Sequence, residues 1–208
     1  MNKDQLCLYA ITDRSYLKGL SLEEAAAEAI EGGATIVQLR EKDFPEDELK
    51  KEVQALLPVC RSYNVPLILD DNVYLAKELG CDGVHVGQGD MPASKAREIL
   101  GPGRIIGVTA KTVEQAKKAQ ADGADYLGSG AMFATATKPG ALAMTPEKLR
   151  EITQSVSIPV VAIGGICLEN IAQLKGTGIA GAAVSEGIFN AENIRSAARA
   201  LKQAAAAL

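Results

Sequence analysis

Eight short runs rich in aliphatic and β-branched residues alternate with eight segments of helical periodicity, and most helix exits carry glycine. Together these predict an α/β fold: a single (β/α)8 TIM barrel with a parallel eight-stranded sheet over residues 1–208. Strict alternation makes neighbouring strands parallel, because each crossover is a helix. One strand–helix unit per roughly 26 residues is the rhythm of such a barrel; an open doubly wound sheet is the alternative.

The strands are expected at Leu6–Ile11, Thr35–Leu39, Leu67–Leu69, Val84–Val86, Ile105–Val108, Tyr126–Gly128, Val160–Ile163 and Ala182–Val184. The helices are expected at Leu22–Ile30, Pro45–Tyr63, Val73–Leu79, Ala93–Leu100, Val113–Ala121, Pro146–Gln154, Leu168–Leu174 and Ala191–Ala207. Ser21, Pro45, Thr112 and Thr145 followed by Pro146 mark helix entries, since a side-chain oxygen or a proline suits the first turn. Gly32-Gly33-Ala34, Gly80-Cys81-Asp82-Gly83, Gly123-Ala124-Asp125 and Gly178-Ile179-Ala180 mark exits, where glycine takes the left-handed turn. Residues 129–143 form the one long connection, a lid candidate by its length.

Composition bounds the function. Hydrophobic residues make up 47% and charged residues 23% of the chain, with a formal net charge of -4. No apolar run approaches the length of a membrane span, and no basic cluster offers a nucleic-acid surface, so small-molecule partners are expected. Homo-oligomer formation is left open. Four scattered cysteines and a single histidine supply a zinc site poorly and read as buried free thiols. Lys3 and Asp4, followed by a strand-like run, do not form a signal-peptide pattern, and the expected location is the cytoplasm.

Barrel enzymes work at the carboxyl ends of their strands, so polar residues there are the first candidates. After strand two the two-residue period puts Gln38, Arg40 and Lys42 on one face and Leu39 and Glu41 on the other. Strand three ends in Asp70-Asp71, and Gly87-Gln88-Gly89-Asp90 follows strand four. Asp71 alone fits a helix cap as well as a site. Asp90 fits a cap less well, because Pro92 reads as the first helical residue and leaves the cap to Met91. Two carboxylates beside an anion pocket repel the anion by about 4 kcal/mol per close pair unless a cation intervenes. Hard oxygen ligands and phosphate oxygens suit Mg2+.

After strand six, small residues run through Thr135 and Thr137 to Lys138, a segment that fits neither a dinucleotide fingerprint nor a Walker loop. Strand seven ends in Gly164-Gly165 and strand eight in Val184-Ser185, the usual phosphate corner of these barrels. His85 lies on strand four facing inward, open to both a packed core role and a ligand contact. Two anion sites follow, one at strands seven and eight and one, with metal and cations, at strands two, three, four and six. Two phosphorylated substrates are therefore expected.

Gln38-Leu39-Arg40-Glu41-Lys42, Asp71, Gly83-Val84-His85-Val86-Gly87-Gln88 with Asp90, Thr135-Ala136-Thr137-Lys138 and Ala162-Ile163-Gly164-Gly165-Ile166 resemble, in order, the thiamin phosphate synthase family. That resemblance implies joining of hydroxymethylpyrimidine diphosphate to thiazole phosphate, with loss of pyrophosphate, in a Mg2+-dependent transferase. It implies that Gln38, Arg40, Lys42, Asp70, His85, Thr109 and Lys138 bind the pyrimidine diphosphate, with Arg40, Lys42 and Lys138 catalytic. It further implies Asp71 and Asp90 as metal ligands, and Thr135, Thr137, Gly165, Val184 and Ser185 around the thiazole phosphate. The sequence departs from the family at Asp70, where asparagine is frequent, at Thr109, where serine is common, and at Gly89, where glutamate is common. Asp70 adds charge beside a diphosphate: it would ligate metal, accept a hydrogen bond from a cation, or weaken binding. Alternatives on the same barrel are a TenI-like thiazole tautomerase and a non-catalytic phosphate-ligand sensor.

Overall fold

In the computed structural model, residues 1–42, 44–134 and 143–208 are described. Eight parallel strands close in chain order, β1 (Leu8–Ile11), β2 (Ile36–Leu39), β3 (Leu67–Asp70), β4 (Gly83–Val86), β5 (Ile105–Thr109), β6 (Tyr126–Gly130), β7 (Val160–Ile163) and β8 (Gly181–Val184). Closure pairs β8 with β1, Ala183 opposite Tyr9. After a short α1 (Lys3–Leu6), the outer ring is α2 (Leu22–Glu31), α3 (Glu46–Ser62), α4 (Val73–Leu79), α5 (Ala93–Leu100), α6 (Val113–Ala121), α7 (Pro146–Ser155), α8 (Glu186–Phe189) and α9 (Ile194–Ala206). Among the described residues no helix is long and apolar enough to cross a membrane.

Each strand is buried on both faces, as parallel barrel strands must be. Outward residues such as Val37, Leu39, Leu67, Leu69, Val84 and Leu127 join the helices in one large apolar layer. Inward residues Tyr9, Ile11, Ile36, Ile68, Tyr126, Val161 and Ala183 form a separate inner core. That two-sided burial is why the strands read as continuous apolar runs.

Local chemistry sets the helix starts. Ser21 and Glu24 form a reciprocal capping box at α2, Thr112 accepts from Gln115 N at α6, and Thr145 accepts from Lys148 N ahead of Pro146 at α7. Gly80 ends α4 in the left-handed conformation at φ 74°.

Four expectations need correction. The stretch Leu168–Leu174 is not a helix but a 3-10 turn over Ile171–Leu174. Asn170 explains it: its side chain accepts from Cys167 N and donates to Gly165 O, which holds the preceding residues in a loop. Too few residues then remain before Gly176, at φ 76°, to nucleate an α-helix. The expected last helix divides into α8 and α9, with Asn193 capping the second part. Pro92 occupies the cap of α5 rather than its first position, with Ala93 first. Strand six continues through Ser129 to Gly130, so the long connection begins later than expected; its residues 135–142 lie outside the described residues.

Candidate active site

A cavity of about 390 Å³ opens at the carboxyl end of the barrel, and all eight strands or the residues just after them line it. From β2 come Gln38, 3% exposed, then Arg40 and Lys42. Alternation holds past the strand end, because Glu41 turns away to Arg14 at 3.3 Å while Arg40 N donates to Thr12 Oγ1 at 3.1 Å.

Asp70 closes β3 among these groups. Its Oδ1 accepts from Gln38 Nε2 at 2.8 Å, and its Oδ2 lies 3.9 Å from both Arg40 Nε and Lys42 Nζ. Asp70 thus accepts a hydrogen bond from the Gln38 amide and lies at ion-pair distance from both cations. An ionised carboxylate only accepts, so it fixes the Gln38 amide with nitrogen toward Asp70 and oxygen away from it.

Asp71 is not a helix cap. Asn72 takes that place, accepting from Leu75 N, while Asp71 sits in the left-handed region at φ 59°, a conformation aspartate tolerates better than most residues. Its Oδ2 meets Lys42 Nζ at 3.0 Å. Burial pushes the Asp71 carboxyl above the usual carboxylate range; Lys42 opposes the rise, and the nearby Asp90 carboxyl, within hydrogen-bonding reach, adds to it. Burial also works to lower the Lys42 ammonium, but the Asp71 hydrogen bond and the charges of Asp70 and Asp71 outweigh it and leave its pKa raised. Asp90 Oδ2 accepts from Gly87 N at 2.8 Å, before and apart from the α5 cap.

Two carboxylates in contact favour a proton or a cation between them. Among the described residues no group of three or more His, Cys, Asp or Glu side chains could hold a metal. Any Mg2+ here would be held by Asp71 and Asp90 and completed by substrate oxygens and water, a donor set that suits it.

His85 points inward, 8% exposed. Its Nδ1 lies 3.0 Å from the Tyr126 hydroxyl and its Nε2 lies 2.9 Å from Thr109 Oγ1. On the opposite side Gly165, at φ 63°, Val184 and Ser185 line the same cavity. Ser185 Oγ is buried and has no hydrogen-bond partner among the described residues, a donor left for a ligand. Thr135, Thr137 and Lys138, three further expected site residues, lie outside the described residues.

Two findings go beyond the sequence reading. The two inferred sites are one continuous space, since Arg40 and Ser185 border the same cavity. Lys111 lines it as well and was missed; its signal was the alternation past Thr109, the same signal that marks Arg40 and Lys42. The cysteines are free: Cys7, Cys60 and Cys81 are buried, Cys167 is half-buried at the cavity wall, and burial pushes Cys60 up to about 12 and Cys81 up to about 11.

The family model for thiamine monophosphate synthase matches residues 8–188. A thiamine-phosphate synthase of Ruminiclostridium cellulolyticum is 46% identical over 200 residues, covering 96% of this chain and 95% of its own. One from Alkaliphilus oremlandii is 47% identical over 195 residues, covering 94% and 93%. The solved thiamine phosphate pyrophosphorylase of Pyrococcus furiosus is 40% identical with a TM-score of 0.89, covering 98% of this chain and 97% of that one.

Proposed function

The chain belongs to the thiamine monophosphate synthase family, a transferase of thiamine biosynthesis, and we propose that it makes thiamin phosphate in the cavity at its barrel mouth. The substrates of this reading are hydroxymethylpyrimidine diphosphate and thiazole phosphate. The observation that carries it is the single cavity joining Arg40 and Lys42 on one side to Gly165 and Ser185 on the other. Two phosphorylated rings can meet only where both anion sites open into one space.

Gln38, Arg40, Lys42, His85 and Thr109 hold the pyrimidine diphosphate, with Asp70 keeping Gln38 and the two cations in place. Gly165, Val184 and Ser185 hold the thiazole phosphate; the family resemblance assigns Thr135 and Thr137 to the same phosphate and Lys138 to the diphosphate. The bond from the pyrimidinylmethyl carbon to the diphosphate oxygen breaks, its electron pair leaves with pyrophosphate, and the thiazole nitrogen then donates its pair to that carbon. No protein nucleophile is needed. Arg40 and Lys42 stabilise the charge growing on the leaving group, and they do so best in a site closed to bulk water. Asp71 and Asp90 would hold Mg2+, which would supply charge neutralisation for the diphosphate.

The test supplies both substrates with and without Mg2+ and measures thiamin phosphate. Product with Mg2+ and loss of product in Asp90→Ala are expected. No product from the wild-type protein with Mg2+ overturns the coupling; wild-type turnover by Asp90→Ala overturns the metal assignment.

A further inference from the structure

Beneath the cavity, across the inside of the barrel, His85 and Thr109 continue into a chain of hydrogen-bonding side chains whose two tyrosines the reaction above does not use. Tyr9 Oη lies 2.7 Å from Tyr126 Oη, Tyr126 Oη lies 3.0 Å from His85 Nδ1, and His85 Nε2 lies 2.9 Å from Thr109 Oγ1. Its members come from β1, β6, β4 and β5, so only barrel closure brings them together. Tyr9 and Tyr126 are buried in the inner core, while Thr109 and His85 reach the cavity wall.

Room for the chain is made by missing side chains. A Cβ at Gly107, on β5, would stand 2.5 Å from His85 Nδ1 and nearer still to the Tyr126 ring and hydroxyl. One at Gly128, on β6, would stand 3.1 Å from His85 Cε1. The Tyr126-to-His85 bond therefore occupies the space that an ordinary residue at 107 would fill.

The direction of the chain follows from counting protons. With a neutral imidazole, the two phenols, the histidine and the threonine bring one proton each, and three links use three of them. One proton is left over, on Tyr9, on Tyr126 or on Thr109. On either tyrosine it would be stranded in the apolar inner core, because among the described residues Tyr9 meets only Tyr126 and Tyr126 only Tyr9 and His85. At Thr109 it faces the cavity instead, where water or a ligand oxygen accepts it. Tyr9 then donates to Tyr126, Tyr126 donates to His85 Nδ1, and His85 Nε2–H donates to Thr109 Oγ1.

We propose that Tyr9 and Tyr126 are positioning residues: acting through His85 as its Nε2–H tautomer, they turn the Thr109 hydroxyl proton into the cavity as a donor to an anionic diphosphate oxygen. The identity of that acceptor rests on the function proposed above; the order of the chain does not. Thr109 is thereby barred from spending its proton on His85, and the anion pocket gains a preorganised neutral donor beside Arg40 and Lys42.

The chain's single histidine makes the test direct, because protein labelled with 15N-histidine carries one imidazole. At neutral pH without substrate, Nδ1 is expected to give a pyridine-type shift and Nε2 a pyrrole-type shift. An Nδ1–H tautomer, or protons on both nitrogens, overturns the proposal while leaving the coupling activity untouched. Substrate kinetics supply the second arm. Thr109→Val and Tyr126→Phe are each expected to lower kcat/KM about fivefold, the scale of one net hydrogen bond, and the double variant no further than Thr109→Val alone. Losses that multiply instead show Tyr126 acting elsewhere, and overturn it. Thermal melts of each variant keep a folding defect from being read as a catalytic one, and the wild-type spectrum needs no variant at all.

Discussion

Replacing Gly107 by alanine drives a methyl group into the hydrogen-bonded interior of the barrel. The added Cβ would stand 2.5 Å from His85 Nδ1 and closer to Tyr126, whose ring is fully buried and hydrogen-bonded at both sides of its hydroxyl. No flexible chain end can swing aside. Relief requires moving the Tyr126 ring, which costs about 1–3 kcal/mol in overpacking and about 1 kcal/mol for each of its two hydrogen bonds. The sum, about 3–5 kcal/mol, corresponds in a chain of this size to a fall in Tm of about 6–20 °C. Gly103→Ala is the control: nothing lies within 4 Å of its Cβ and its φ is not positive, so a change within about 0.5 kcal/mol is expected. Thermal and urea melts of both variants decide the matter. A Gly107→Ala protein melting alongside the control would refute the packing and hydrogen-bond geometry assigned to the barrel interior.

Three further outcomes are expected. Because burial and Asp90 raise the Asp71 pKa, folding takes up a proton there. Stability of the metal-free protein should fall as pH rises from the usual carboxylate value through the raised one, and Mg2+ should bind more weakly at about pH 5 than at about pH 7.5 by calorimetry; equal affinities would contradict this. Iodoacetamide should label Cys167 alone in the native protein, and thiazole phosphate should slow it, since Cys7, Cys60 and Cys81 are buried; label on native Cys60 in a mass spectrum would contradict the burial. Ser185→Asp places a carboxylate in the phosphate corner, and steady-state kinetics should show KM for thiazole phosphate raised by about tenfold or more with KM for the pyrimidine diphosphate nearly unchanged; equal effects on both would contradict two distinct sides.

The barrel was legible because its strands are apolar on both faces and its helices are punctuated. Val73–Leu79, Ala93–Leu100 and Val113–Ala121 fall where periodicity places them, the last behind its expected cap, Thr112. The last two residues of β6 were hidden because Ser129 and Gly130 carry loop-like composition, while their pairing with Ala162 and Ile163 on β7 decides their state. Asn170 hid the loss of a helix, because a side chain that pins a loop looks like a capping residue in sequence. Site residues at strand ends were legible from the two-residue period, which brings Arg40 and Lys42 together. Lys111 obeys the same rule but stands past a strand end without a second charge to draw attention to it. The Tyr9–Tyr126 contact, between partners 117 positions apart, and the fusion of two anion sites into one cavity are consequences of closure, which local pattern does not encode.

Joining of two phosphorylated rings in one cavity is tested most directly by product stoichiometry. With hydroxymethylpyrimidine diphosphate, thiazole phosphate and Mg2+, the wild-type protein should release one pyrophosphate for each thiamin phosphate formed, and form no thiamin phosphate when the thiazole is withheld. Isomerisation of the thiazole with no thiamin phosphate would contradict it.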